Sequence, residues 1–130
     1  MHAPVLRVAR PTNDLAAAVR FYTEALGLDI LARFEDHAGF DGVMLGKPGL
    51  QWHLELTHQR GVTVRHAPTP EHLLVLYLPD RDAWRAAVAR VRAFGAEPRA
   101  AENPYWDRDG LTFEDPDGYR IVLQNAAWSL

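Results

Sequence analysis

The chain repeats itself once, and that repetition limits what it can fold into more than any other feature. Across its 130 residues, 66 positions separate Asp14 from Asp80, 68 separate Gly27 from Gly95, and 67 separate Glu55 from Val122. In the first half a strand-like stretch, residues 4–10, runs into Thr12-Asn13-Asp14, a cluster suited to capping a helix N-terminus. Leu15, Val19, Tyr22 and Leu26 then follow at helical period, and Gly27 is placed to stop the helix in the left-handed conformation. Three short strands are predicted at 30–34, 42–45 and 51–57, separated by Gly39, Gly42 and Lys47-Pro48-Gly49.

The second half has the same order. A strand is predicted at 72–78, caps at Asp80 and Asp82, a helical stripe at Trp84, Ala87, Val88 and Val91, and a stop at Gly95. A weak strand at 97–101 precedes a hairpin, 111–114 with 119–124, turning at Asp115-Pro116-Asp117-Gly118. Proline presets the torsion of that turn and glycine takes its positive φ. A steady offset through strand, helix and hairpin implies a duplicated βαβββ module: about 4–60, a linker of about 61–70 containing Pro68 and Pro70, then about 71–126. The expected class is α+β, one domain of two modules.

Composition excludes several kinds of function. Hydrophobic residues are 48% and charged residues 24%, as in an ordinary globular protein long enough to bury a core. The net charge of −3 supplies no basic field for nucleic acid and no polybasic membrane patch. Absence of cysteine rules out disulfides, thiolate metal sites and a cysteine nucleophile. No stretch has the length of a membrane span, and the first residues lack the pattern of a signal peptide, so a cytoplasmic location is expected. The sole serine, Ser129, stands near the C-terminal end, and no phosphate-cradling glycine loop is present.

Particular residues carry a resemblance. Asp14-Leu15, Phe21-Tyr22 and Leu26-Gly27-Leu28 resemble the opening of the vicinal-oxygen-chelate superfamily (glyoxalase, bleomycin resistance and dioxygenase proteins). The strand His53-Leu54-Glu55-Leu56-Thr57 is similar to one in glyoxalase I, and Phe113-Glu114-Asp115-Pro116-Asp117-Gly118-Tyr119-Arg120-Ile121 to the superfamily's final hairpin. Residues 9–15 and Asn103-Pro104-Tyr105-Trp106 look like an uncharacterised bacterial glyoxalase-like subgroup. The resemblance implies eight strands curled into an open cavity, a small-molecule ligand or substrate, and a homodimer. The superfamily holds metal-dependent lyases, isomerases and dioxygenases as well as drug-binding proteins without metal, so fold alone does not decide the chemistry.

Strand alternation sorts the cavity-facing residues. With Glu55 inward, His53 and Thr57 share its face; Arg7 and Ala9 belong to it from the first strand, His72, Leu74 and Leu76 from the fifth, and Arg120, Val122 and Gln124 from the last. The resemblance implies one metal ligand from each of four strands, here Arg7, Glu55, His72 and Val122. Arginine donates only, and valine has no lone pair.

Two readings of the remainder stay open. In one, Glu55, His72 and His53 hold a divalent ion (zinc, iron, manganese or nickel) that acts as Lewis acid in a lyase, isomerase or dioxygenase. In the other, Arg7 neutralises Glu55 and the cavity binds a small anionic or aromatic molecule without metal. A fixed cation at a ligand position favours the second. Arg7, Thr57, Trp106, Arg120 and Gln124 are then the candidate ligand-binding residues, Trp106 by stacking. Glu55 and His53 are the candidate catalytic residues; Glu55 as a metal-free base ranks last, because a neighbouring guanidinium favours the carboxylate. The remaining histidines have plainer readings. His37 and Asp41 would form either an acid/base pair or, the stronger reading, a turn capped by Asp41, and His58 and His66 are expected in solvent.

Overall fold

The computed structural model describes residues 3–65 and 68–129. His66 lies outside the described residues. The chain divides into two compact units, Met1–His66 and Ala67–Leu130.

Unit 1 runs β1 (Leu6–Pro11), α1 (Leu15–Arg20), β2 (Asp29–His37), β3 (Phe40–Gly46) and β4 (Trp52–Gln59). Asp14 caps α1 through its carboxylate, which accepts from Ala17 N at 3.0 Å. A π-helical turn, Phe21–Ala25, widens the end of the helix before Gly27 turns out of it at φ 73°. That widening rotates the apolar stripe. The most buried side chains are Ala18, Phe21, Tyr22 and Ala25, whereas Leu15, Val19 and Leu26 keep partial exposure. The sheet order is β1-β4-β3-β2, with β1 parallel to β4 and the other pairs antiparallel. Val43, Leu45, Leu54 and Leu56 form its buried face. Burying each such side chain contributes roughly 1.5–3 kcal/mol.

Unit 2 runs β5 (Leu73–Tyr77), α2 (Arg81–Phe94), α3 (Tyr105–Arg108), β6 (Gly110–Glu114) and β7 (Arg120–Gln124), in sheet order β5-β7-β6. Asp80 caps α2 by accepting from Ala83 N, and Gly95 ends it at φ 115°. Phe113, Ile121 and Leu123 form one buried face of the sheet, and α2 buries Val88 and Val91. Trp84 Nε1 donates to Leu123 O at 2.9 Å, which ties α2 to the central strand. In the Asp115–Gly118 turn, Asp115 Oδ1 accepts from both Asp117 N and Tyr119 N.

Two expectations change. The weak strand at 97–101 reduces to a single bridge between Arg99 and Thr112, so the described residues hold seven strands instead of eight. Pro98 has no N–H to offer a ladder. The polar loop after residue 103 contains a four-residue helix, α3, started by Asn103 Oδ1 accepting from Tyr105 N. Each unit is thus a βαβββ-like module, and the fold is α+β. Among the described residues no helix is long and apolar enough to cross a membrane.

Candidate functional site

In unit 1 the sheet face opposite the core carries the polar residues. Parallel pairing sets Arg7 beside His53 and Ala9 beside Glu55; antiparallel pairing sets Met44 beside Glu55 and Gly42 beside Thr57. Arg7, His53, Glu55 and Thr57 therefore share one face, because residues in register point the same way. Arg7 Nε donates to His53 Nε2 at 2.9 Å, and its Nη1 lies 3.4 Å from Glu55 Oε2. For Nε2 to accept, the imidazole carries its proton on Nδ1. The Glu55 side chain is largely buried, 14% exposed, while that of Arg7 is 47% exposed. Such a pair adds only about 0–1 kcal/mol to stability. Its consequence is chemical: one fixed cation occupies both groups that a metal would need.

The metal-binding arrangement implied by the superfamily does not fit. The second-module position also needs correction. Leu73 pairs with Arg120, Val75 with Val122 and Tyr77 with Gln124, so Leu73, Val75 and Tyr77 share the face of Arg120, Val122 and Gln124. His72, Leu74 and Leu76 were expected there. His72 instead stands before β5, exposed, with its backbone N donating to Thr69 O. The first-module pair Arg7–His53 corresponds to Leu73–Arg120, so the position carried over from the superfamily is Leu73, which has no donor atom. The spacing signalled this: Arg7 and Leu73 both precede their helix-capping aspartates, Asp14 and Asp80, by seven residues. Arg7, Leu73 and Val122 leave Glu55 as the one ligand type among the four positions. Among the described residues no group of three or more His, Asp or Glu is placed to hold a metal ion.

Other expected residues have settled roles. Arg120 is engaged within unit 2: Nε and Nη2 each lie 3.3 Å from Glu114 Oε1, and Nη1 donates to Ala100 O at 3.2 Å. Arg99 Nε lies 3.3 Å from Glu114 Oε2. Gln124 is buried, its Oε1 against Gly110 and without a hydrogen-bond partner, and Thr112 Oγ1 is likewise buried without one. Trp106 lines a recess with Leu73, Val75 and Asn103. The sequence reading missed Glu71 and Glu102 in that lining. Neither stands in a motif, and only the register of β5 brings Glu71 to the recess.

His37 and Asp41 form no pair. Asp41 is held by Arg60, whose Nη2 approaches Oδ1 to 2.9 Å, and it accepts from Asp36 N at 2.9 Å. The Arg60 hydrogen bond, followed by the Asp36 N–H, holds the Asp41 carboxyl below the ordinary carboxylate range. His58, expected in solvent, is half-buried with Nδ1 3.0 Å from Thr12 O.

Comparison with known proteins shows the family and the fold. The model described as the YycE-like N-terminal domain matches residues 6–57, and that of the YycE-like C-terminal domain matches residues 71–125. The uncharacterized protein YycE of Bacillus subtilis (strain 168) is 42% identical over 124 residues, covering 95% of this chain and 89% of its own length. A crystal structure of Bacillus subtilis YycE, described as a protein of unknown function of glyoxalase/fosfomycin resistance type, superposes with TM-score 0.89 at 41% identity, covering 95% of this chain and 90% of that one. The trypanothione-dependent glyoxalase I of Leishmania major gives TM-score 0.74 at 26% identity, over 96% of this chain and 88% of that one. TnmS3, an antibiotic binding protein from Streptomyces sp. CB03234, gives 0.65 at 26%, over 95% of each. Both halves match in order and the full-length likeness is high, so this chain belongs to the YycE-like family and has the glyoxalase-type vicinal-oxygen-chelate fold.

Proposed function

We propose that this protein binds a small anionic or aromatic molecule on the polar face of β1 and β4, without recruiting a divalent metal. One observation carries the reading: the Arg7 guanidinium engages His53 Nε2 and lies beside Glu55 Oε2. A divalent ion there would have to displace that positive charge from the imidazole and the carboxylate, and the two positive charges repel. Arg7 uses Nε and Nη1 in these contacts, and Nη2 has no partner among the described residues. That nitrogen suits a carboxylate or other planar anion. Thr57 and Met44 extend the same face with a hydroxyl and a deformable apolar surface. TnmS3, which shares the fold, is an antibiotic binding protein, a binding role of the kind proposed. A homodimer and a cytoplasmic location belong to the same proposal; β2 forms an edge of its sheet and could take a second copy.

Elemental analysis after reconstitution with zinc, nickel, manganese or ferrous iron tests this, alongside thermal-shift screening of aromatic carboxylates. Metal far below one equivalent is expected, with stabilisation by carboxylates that Arg7→Ala abolishes. Near-stoichiometric metal lost in Glu55→Ala would overturn the reading in favour of a metal-dependent enzyme.

A further inference from the structure

Unit 2 has a recess of its own, of about 310 Å³, which the proposal above does not use. Leu73 and Val75 provide an apolar floor, and Glu71, Glu102, Asn103 and Trp106 line the rest. We propose that this recess is a subsite for an organic cation with a flat apolar body, received by the Trp106 indole and the carboxylates of Glu71 and Glu102.

Four observations point the same way. The only charged residues in the lining are acidic, and neither carboxylate has an ion pair or hydrogen bond among the described residues. Glu55, Asp41 and Glu114 differ: each is matched by an arginine. Second, Trp106 is presented by a braced turn. Asp107 accepts from Ala101 N at 3.1 Å, Trp106 N donates to Asn103 O at 3.1 Å, and the Tyr105 ring meets the indole edge-on at 5.0 Å between centroids. An indole held this way loses little freedom on binding, and its face attracts cations more strongly than other aromatic rings do.

Third, no cation of the protein itself occupies that ring among the described residues. Arg108, the nearest in sequence, lies over Tyr105 instead, 5.9 Å from its centroid. Fourth, the arginines on the sheet face containing Leu73 and Val75 are already engaged. Arg99 and Arg120 are held by Glu114 and, for Arg120, by Ala100 O. A ligand in this recess meets carboxylates and no free guanidinium, the reverse of what Arg7 offers in unit 1.

The test is an amide and indole NMR titration of the full chain with two probes of the same ring size and opposite charge, N-methylquinolinium and naphthoate. The Trp106 indole signal is assigned with Trp106→Phe. N-methylquinolinium should shift that signal and the Leu73 and Val75 amides, and bind there about tenfold more tightly than naphthoate. Glu71→Gln with Glu102→Gln should weaken it by about tenfold and remove the discrimination, as should added salt. Arg7→Ala should leave all of this unchanged, which separates the subsite from the unit 1 reading. Equal or stronger shifts with naphthoate, unchanged binding in the double variant, or no shift with either probe would each overturn the proposal.

Discussion

Arg7 Nε stands 2.9 Å from His53 Nε2, and its Nη1 stands 3.4 Å from Glu55 Oε2, across a parallel strand pair that sets Arg7 directly beside His53. On the proposed metal-free reading the arginine is the obstacle to metal binding on this face, so removing it should change metal affinity in a known direction. Arg7→Ala frees the imidazole nitrogen and the carboxylate and removes the repelling charge. Zinc or nickel titration by calorimetry should show affinity rising by about tenfold or more over wild type, as for relief of roughly 1.4 kcal/mol or more of charge repulsion. The same weak binding in both proteins would mean that the charge of Arg7 does not control this site.

Gly42 lies under the Phe34 ring. A β-carbon built there would fall within the ring atoms, and Gly42 is itself buried between β2 and β4. Gly42→Ala should therefore destabilise by about 1–3 kcal/mol, the usual cost of forcing extra volume into a packed position. Since Phe34 is the obstruction, Phe34→Ala in the Gly42→Ala background should recover part of the loss in urea denaturation. If the double variant loses as much as the two single changes added together, the clash is not the cause.

Much of this architecture was legible because the repeat is written in residues with local physical roles. Asp14 and Asp80 cap helices, Gly27 and Gly95 leave them with positive φ, and Asp115 and Gly118 build the last turn. Alternation also placed Arg7, His53, Glu55 and Thr57 on one face, since β1 and β4 pair without a slip over that length. The phase of β5 differs from the expected one by a single residue: His72 precedes the strand, and Leu73, Val75 and Tyr77 take the face of Arg120, Val122 and Gln124. A one-residue slip reverses every side chain. The π turn at Phe21–Ala25 and the helix at Tyr105–Arg108 were not legible, because both depend on backbone hydrogen bonds that no side-chain period records. Glu71 and Glu102 were invisible as a set, since only folding assembles them.

Asp41 gives a pH dependence whose sign is determined. The Arg60 hydrogen bond, with the Asp36 N–H behind it, lowers the Asp41 pKa in the folded state. Its contribution to stability is complete above the unfolded-state value, about 3.9, and is lost as pH falls through the lower folded value. Wild type should therefore be more stable than Asp41→Asn near neutral pH, and the gap should close only below about pH 4. Urea midpoints of both proteins from about pH 7 down to about pH 2 measure this. A gap that stays constant over the whole range would show that the carboxylate charge contributes nothing.

Asn13 joins the segment after β4 back to the helix cap. Its Nδ2 donates to Val64 O at 2.8 Å and its Oδ1 accepts from Val64 N at 2.9 Å, so one side-chain amide imitates a rung of a β-ladder. Both bonds are exposed and should contribute about 0.5–1.5 kcal/mol each at most. Asn13→Ala removes the pair and leaves residues 61–65 held chiefly by Val62 N donating to Gln59 O. Hydrogen exchange at the Val64 amide should accelerate by about tenfold or more, and trypsin cleavage after Arg60 should speed up. The amides of Leu54 and Leu56 in β4 should keep their protection, because the sheet does not depend on this contact. Exchange accelerating equally in β4 would instead make Asn13 a determinant of the whole unit, and the latch would be part of the fold's global stability.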